Sequence, residues 1–331
     1  MKILITGASG FIGSFIVEEA LKRGFETWAA VRATSSRAYL QDRRIHFIEL
    51  DFSSEEQLAK KLSGMRFDFV VHAAGVTKCL HADDFYQVNT LGTKNLVNAI
   101  IRTGMPLRRL VYMSSLSVFG AVREQMPYQD IRETDTPAPN TAYGRSKLLA
   151  ERFLDSVASQ INYVVLRPTG VYGPREKDYF LMAQSIKRHV DFSVGSKPQD
   201  ITFVYVRDVV QAVFLALVNG VSGRKYFLSD GHVYRSATFS DELHEALGRP
   251  WWVRINAPLA LLRAVTFCGE YWGRLTGRMT VLNNDKYNIL SQRNWRCDIS
   301  AARQELGFNP KYGLHEGVAE TVAWYKKNKW L

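Results

Sequence analysis

Short apolar runs, punctuated by small and polar residues, recur through the first half of the chain. Lys2-Ile3-Leu4-Ile5-Thr6 is the first, and Thr27 to Val31, Ile45 to Leu50, Phe69 to His72 and Arg109 to Met113 follow it. Most are continuous rather than alternating, which suits strands covered on both faces of a parallel sheet. Between them the apolar spacing changes to three and four residues. Phe15 to Arg23 ends on Gly24, where a helix C-cap belongs, and helices are also expected from Asn89 to Ile101 and from Tyr143 to about Ser159. This alternation predicts an α/β fold with a doubly wound parallel sheet.

Beyond Tyr172 the pattern is mixed. Tyr179 to Arg188 and Phe239 to Leu247 read as helices, whereas Phe203 to Val218 returns to the core as a strand and helix. From Pro258 onward Leu259, Leu261, Leu262, Val265, Phe267, Tyr271 and Trp272 predict an amphipathic helix. Its apolar stripe has four readings: core packing, a dimer contact, the wall of a hydrophobic substrate site, or a membrane face with Arg254, Arg263, Arg274 and Arg278 touching the lipid surface.

The turn after the first strand reads Gly7-Ala8-Ser9-Gly10-Phe11-Ile12-Gly13. Gly7 and Gly10 would let the backbone turn tightly beside a pyrophosphate, the helix from Phe11 would aim free N–H groups at it, and Gly13 would let helix and sheet pack closely. Thr6, Gly7, Ser9, Gly10, Phe11, Ile12 and Gly13 are therefore cofactor-binding candidates on a Rossmann-type domain. The domain is expected to span 1–170, with 201–228 returning to it. Residues 171–200 and 229–331 would form a smaller, interleaved C-terminal substrate lobe.

About twenty residues after the turn, the second strand ends in Arg32. An acid there would bind the adenosine ribose hydroxyls; an arginine, with Ser36 and Arg37 nearby, suits a 2′-phosphate instead. NADP is thus the expected cofactor, with NAD as the alternative. Asp51 and Phe52 would flank the adenine, although Asp51 could equally cap a turn. The small residues Ala73, Ala74 and Gly75 would let the backbone pass close to the cofactor, and His72 beside them reads as a structural histidine.

Ser114-Ser115 stands at the C-terminal end of the fifth strand, where ligands of open α/β sheets collect. Tyr143 and Lys147, four residues apart, project from one face of the following helix. Behind a nucleotide grip and a serine-tipped strand, they become a catalytic pair.

Composition narrows the picture only a little. The 331 residues carry a net charge of +11, with 46% hydrophobic and 23% charged residues. The basic residues are dispersed, so no nucleic-acid stripe is expected. Cys79, Cys268 and Cys297 are widely spaced and odd in number, which fits a reducing compartment and, with no predicted leader or membrane span, a cytoplasmic protein, with peripheral membrane contact as the variant. No metal site is expected.

Taken together, Thr6 to Gly13, His72-Ala73-Ala74-Gly75, Asn89 to Thr93, Ser114 to Gly120, Tyr143 to Lys147, Leu166 to Pro174 and Val206 to Val209 resemble the extended short-chain dehydrogenase/reductase family. The resemblance implies that Tyr143 is the general acid/base and that Lys147 lowers its pKa and holds the nicotinamide ribose. It implies that Ser115, five residues before Gly120, bonds the substrate oxygen, and that Pro168, Gly170 and Val171 pack near the nicotinamide. It also implies a homodimer and a small-molecule substrate. Dehydratases resembling this family carry Asp-Glu where this chain has Leu116-Ser117, so dehydration is disfavoured. The C-terminal stretch more loosely resembles the family's reductases of sterol, flavonol or sphingolipid-precursor ketones. The leading expectation is NADP-linked reduction of a ketone on a fairly apolar substrate. Nucleotide-sugar epimerisation is the alternative, with Arg175, Lys177 and Arg188 read either as partners of a diphosphate or as a solvated basic face.

Overall fold

The computed structural model describes residues 1–195, 197–276 and 284–331. Six strands, β1 (Lys2–Thr6), β2 (Glu26–Val31), β3 (His46–Glu49), β4 (Phe69–His72), β5 (Arg109–Met113) and β6 (Tyr163–Pro168), form the central sheet with Lys225–Leu228 as its seventh member. Every pairing is parallel, in the order Lys225–Leu228, β6, β5, β4, β1, β2, β3. The order reverses between β1 and β4. A crevice therefore opens at the C-terminal ends of those two strands, where ligands of such sheets bind.

The apolar runs are continuous because both sheet faces are covered. Ile3 and Ile5 point into a core shared with helix α1 (Phe11–Lys22) and helix Val206–Asn219, while Leu4 points into a second core with helices Glu55–Leu62 and Gly92–Arg102. All three residues are fully buried, and each such side chain stabilises the fold by about 1.5–3 kcal/mol. α1 ends as the sequence predicts, with Gly24 at φ +77° and its N–H donating to the Leu21 carbonyl. Ahead of helix Gly92–Arg102, residues Tyr86–Leu91 form a wider π-helical turn; such turns cluster at functional sites.

Past β6 the chain leaves the sheet and returns. Strand Gly170–Tyr172 pairs in parallel with Phe203–Tyr205, after which helix Val206–Asn219 packs back beside α1. Helices Asp178–Lys187, Thr238–Ala246 and Leu314–Lys327 pack on one another around Tyr172, Tyr179, Phe203 and Phe239. A second, two-stranded parallel ribbon joins Val190–Val194 to Val253–Ala257 and leads into helix Leu259–Thr276. On that helix Leu262 and Thr266 are buried, whereas Leu261, Val265, Phe267 and Tyr271 are exposed. Core packing within the monomer is thus not what its wide apolar surface serves. Arg278, and the side chains of Trp272 and Arg274, lie outside the described residues.

Candidate active site

The turn after β1 is held by backbone passing against backbone. Gly7 sits at φ +66°, and a Cβ there would lie 2.6 Å from the Ala73 carbonyl and the Ala74 nitrogen. A Cβ on Gly13 would fall 2.0 Å from the Gly7 oxygen. Any side chain at either position would push apart the turn, the β4 exit or α1. Gly10 is the N-cap of α1 and offers no side-chain cap. Its own N–H donates to the Gly7 carbonyl at 2.9 Å, and Ser14 is the first helix amide to bond back, to Gly10. The amides between them, on Phe11, Ile12 and Gly13, face the crevice at the positive end of the helix dipole, which suits a pyrophosphate. The site fits a dinucleotide on this geometry.

His72 links the two turns. Thr6 Oγ1 lies 2.7 Å from its Nδ1, and Thr93 Oγ1 lies 2.9 Å from its Nε2. Thr93 donates to the Asn89 carbonyl and the Ala74 N–H donates to Thr6 Oγ1. One tautomer satisfies the whole chain: Thr6 donates to Nδ1, and Nε2–H donates to Thr93. The ring is neutral, its pKa pushed down to about 3 by burial and then by the Lys147 charge. It is a structural link, with no proton to exchange near neutral pH.

Asn89 extends the link. Its Oδ1 accepts from Val76 N–H, and its Nδ2 donates to the Val76 carbonyl and to Ser146 Oγ. Gly75 lies so close to this arrangement that a Cβ would come within 3.1 Å of Lys147 Nζ. Thr6, Ala74, Gly75 and Lys147 are thereby brought to one wall of the crevice.

Helix Ala142–Ser156 carries the candidate pair Tyr143 and Lys147. Lys147 is buried and donates to the Met113 carbonyl at the end of β5, 2.8 Å away, with its ammonium over the Tyr112 ring. Burial lowers its pKa to about 8, opposed by the charge of Glu151. Tyr143 is raised by burial to about 12, and the one counterweight is the Ser115 hydroxyl. The Lys147 ammonium is turned to Met113 and Tyr112, and the phenol, raised by burial, stays protonated at neutral pH.

The two serines after β5 separate cleanly. Ser114 is buried and donates to Glu151 Oε1 at 2.5 Å, inside a network completed by the Arg167 guanidinium. Ser115 Oγ accepts from Ser117 N–H at 3.1 Å, caps the short turn Leu116–Val118 and stays half-buried beside Tyr143. Tyr143, Lys147 and Glu151 are spaced at four residues, so the Glu151 anchor was visible in the same helical face.

Around the cofactor's expected adenosine end, Arg32 is exposed at the tip of β2, and its backbone N–H bonds Ser35 Oγ. Arg37 lies over the Phe47 ring and Ser36 Oγ accepts from Ala38 N–H. Asp51 accepts from Ser53 N–H in a local turn, and those bonds to Ser53 hold its pKa down. Phe52 packs beside His72. Pro168 is buried at the end of β6, and Gly170 and Val171 are half-buried just beyond it.

Arg175 is a correction. Its guanidinium is sandwiched between Phe15 and Tyr39, donates to Ser14 Oγ and pairs with Glu18 of α1. The cleft it lines, about 280 Å³, is shared with Arg207, Glu320 and Trp324 and includes none of Ser115, Tyr143 and Lys147. Arg175 fastens α1 to the loop after Gly173 and is not directed at a substrate. Lys177 and Arg188 are exposed.

One residue of the site carried no local signal. Asp285, on helix Asn284–Ser291, accepts from the N–H groups of Ala142 and Tyr143 at 2.9 and 3.3 Å. Thr141 already caps the same helix end through Gly144 N–H. The second cap comes from the far end of the sequence and grips the residue that carries the phenol.

Residues 3–229 match the model of the NAD dependent epimerase/dehydratase family. The chain is 28% identical over 333 residues to a UDP-glucose 4-epimerase of Vibrio cholerae, covering 97% of this chain and 94% of that one. It is 27% identical to a 3 beta-hydroxysteroid dehydrogenase/Delta 5→4-isomerase of Mycobacterium tuberculosis, covering 98% and 90%. Its fold superposes on a dTDP-glucose 4,6-dehydratase from Streptomyces venezuelae, solved with NAD, at a TM-score of 0.81 and 22% identity, covering 100% and 98%. The chain belongs to the NAD dependent epimerase/dehydratase family, and is thus an NAD(P)-dependent enzyme of the extended short-chain dehydrogenase/reductase type.

Two expectations follow. The His72 pKa of about 3 in the fold lies below its ordinary 6.5, so on acidification the unfolded chain takes up the proton first. The stability held by the neutral ring is complete above pH 6.5 and drains as pH falls toward 3. Urea unfolding at pH 7 and pH 5 should show wild type losing about 2 kcal/mol more than His72→Asn; equal losses would contradict the buried neutral ring. For Asp285, substitution by Ala should lower kcat about tenfold and leave cofactor affinity within about twofold, because Thr141 still caps the helix. Asp285→Asn, which keeps an acceptor, should restore most of the loss; a fall in cofactor affinity matching the fall in kcat would mean general destabilisation.

Proposed function

We propose that this chain is an NADP-preferring reductase of ketones on apolar, lipid-like substrates. The observation that supports it most is at the end of β5: Ser115 and a protonated Tyr143 share one wall of the crevice, while Leu116 and Ser117 follow where elimination would need carboxylates. NADPH, when bound, would supply the hydride for the carbonyl carbon. Tyr143 Oη holds the proton that the carbonyl oxygen takes up, and a phenol held near 12 is an acid at neutral pH, which suits reduction. The Ser115 hydrogen, resting on Ser117 Oγ at 3.1 Å, turns to the same oxygen as charge develops there. Lys147, fixed on Met113, supplies a cation and donors for the nicotinamide ribose.

The exposed Arg32 supports NADP because it offers a cation where a ribose-binding acid would otherwise stand. The apolar lobe, and the likeness to the Mycobacterium tuberculosis relative named as a hydroxysteroid dehydrogenase, support a lipid-like substrate. The likeness to the Vibrio cholerae relative named as an epimerase supports a second reading, interconversion of a nucleotide sugar with retained cofactor.

NADPH absorbance in the presence of sterol, steroid and long-chain keto compounds should fall, with Tyr143→Phe lowering kcat at least about 100-fold while still binding NADPH. Arg32→Ala should weaken NADPH about tenfold and leave NADH unchanged. Sugar interconversion without net NADPH oxidation would instead establish the epimerase reading, and unchanged NADPH affinity in Arg32→Ala would overturn the cofactor assignment.

A further inference from the structure

The ribbon of the lobe is patterned inside out. Val190–Val194 and Val253–Ala257 pair in parallel, with Arg254 opposite Asp191 and Ile255 opposite Phe192. Strand side chains alternate between faces, so Asp191 and Arg254 share one face, and Phe192 and Ile255 the other. The polar face is the packed one. Asp191 is 2% exposed and accepts from Arg254 Nε at 2.7 Å, and Arg254 Nη2 reaches Ser240 and Asp241 on helix Thr238–Ala246. The apolar face is turned to solvent, with Phe192 62% exposed and Val253 and Ile255 beside it also exposed.

The same character continues on both sides. Trp251 lies flat on the His189 ring and is 70% exposed. Through Pro258 the ribbon runs into helix Leu259–Thr276, where Leu261, Phe267 and Tyr271 are exposed, Phe267 at 74%. Soluble surfaces carry single exposed apolar residues freely, but an inverted ribbon joined to an outward apolar helix is a docking face.

Charge selects the occupant. Lys187 and Arg188, which lead into the ribbon, and Arg263 on the helix are exposed. The neighbouring acids are engaged, Asp191 and Asp241 by Arg254 and Glu245 by Arg249. Aromatic and aliphatic side chains with cations at their margins are the composition that enters the headgroup region of an anionic bilayer. We propose that this face of the lobe docks the protein on an anionic lipid surface. No described helix is long and apolar enough to cross a membrane, so the contact is peripheral. Helix Leu259–Thr276 packs against helix Asn284–Ser291, whose Asp285 grips the Tyr143 backbone. Docking there brings a lipid surface within one helix of the catalytic end of Ala142–Ser156.

Flotation of the purified full chain tests this without any turnover, so failure of the ketone-reductase reading would leave the result standing. Wild type should float with vesicles of phosphatidylglycerol and phosphatidylcholine in equal parts, and much less with phosphatidylcholine alone or in high salt. The double variant Phe192→Ser/Phe267→Ser should partition at least about tenfold less. Both side chains are exposed, so retained circular dichroism and NADPH binding will show that it folds. The proposal is overturned if wild type stays unbound on the anionic vesicles, or if the variant floats as well as wild type. It is likewise overturned if wild type is a dimer in solution that the same substitutions dissociate, which would make this face a contact between copies.

Discussion

The site depends on one close passage, in which the turn after β1, the exit of β4 and the start of α1 meet with no room for a side chain between them. Gly7 faces Ala73 and Ala74 at a distance no Cβ could share, and Gly13 lies against the Gly7 carbonyl. The Thr6 hydroxyl bridges the gap by accepting from Ala74 N–H and donating to buried His72. Since β1 and β4 are the strands between which the sheet order reverses, the crevice and the uncapped amides at the start of α1 are produced by the same contact.

Two helix ends then divide the work. α1 begins on a glycine with no side-chain cap, leaving its amides for an anion. The helix that bears Tyr143 and Lys147 begins under two caps, one from Thr141 and one from Asp285, so its end is closed to an anion and its first residues are fixed. One end is open to an anion, and the other holds the backbone of Ala142 and Tyr143 in place. Lys147 joins them, with its charge between the β5 carbonyl and Gly75.

Most of the fold was legible because it is written locally: apolar runs for covered strands, helical spacing between them, and Gly24 at a positive φ where the C-cap was expected. The glycine turn and the Tyr143–Lys147 pair were legible for the same reason, each being a short pattern with a geometric consequence. What failed to show was set by distant partners. Asp285 reaches Ala142 across 143 residues, and no spacing in the sequence announces that. Arg175 reads as a free cation until Phe15 and Tyr39 close on its two faces. The Tyr143 pKa is raised by burial against the Ser115 hydroxyl, and the direction of the Lys147 ammonium is fixed by Met113, thirty-four residues earlier. The outward turn of the apolar helix was one of several open readings, because periodicity defines a stripe without saying what covers it.

In the proposed reaction Tyr143 acts as an acid toward a ketone that gains hydride for good, and not toward a sugar that gives hydride up and takes it back. Turnover with NADPH deuterated at the transferred position measures this directly. One deuterium is expected on the carbinol carbon of a lipid alcohol product, with one NADP+ released per turnover. Deuterium remaining with the enzyme-bound cofactor, with a nucleotide sugar interconverted and no NADP+ released, would contradict it.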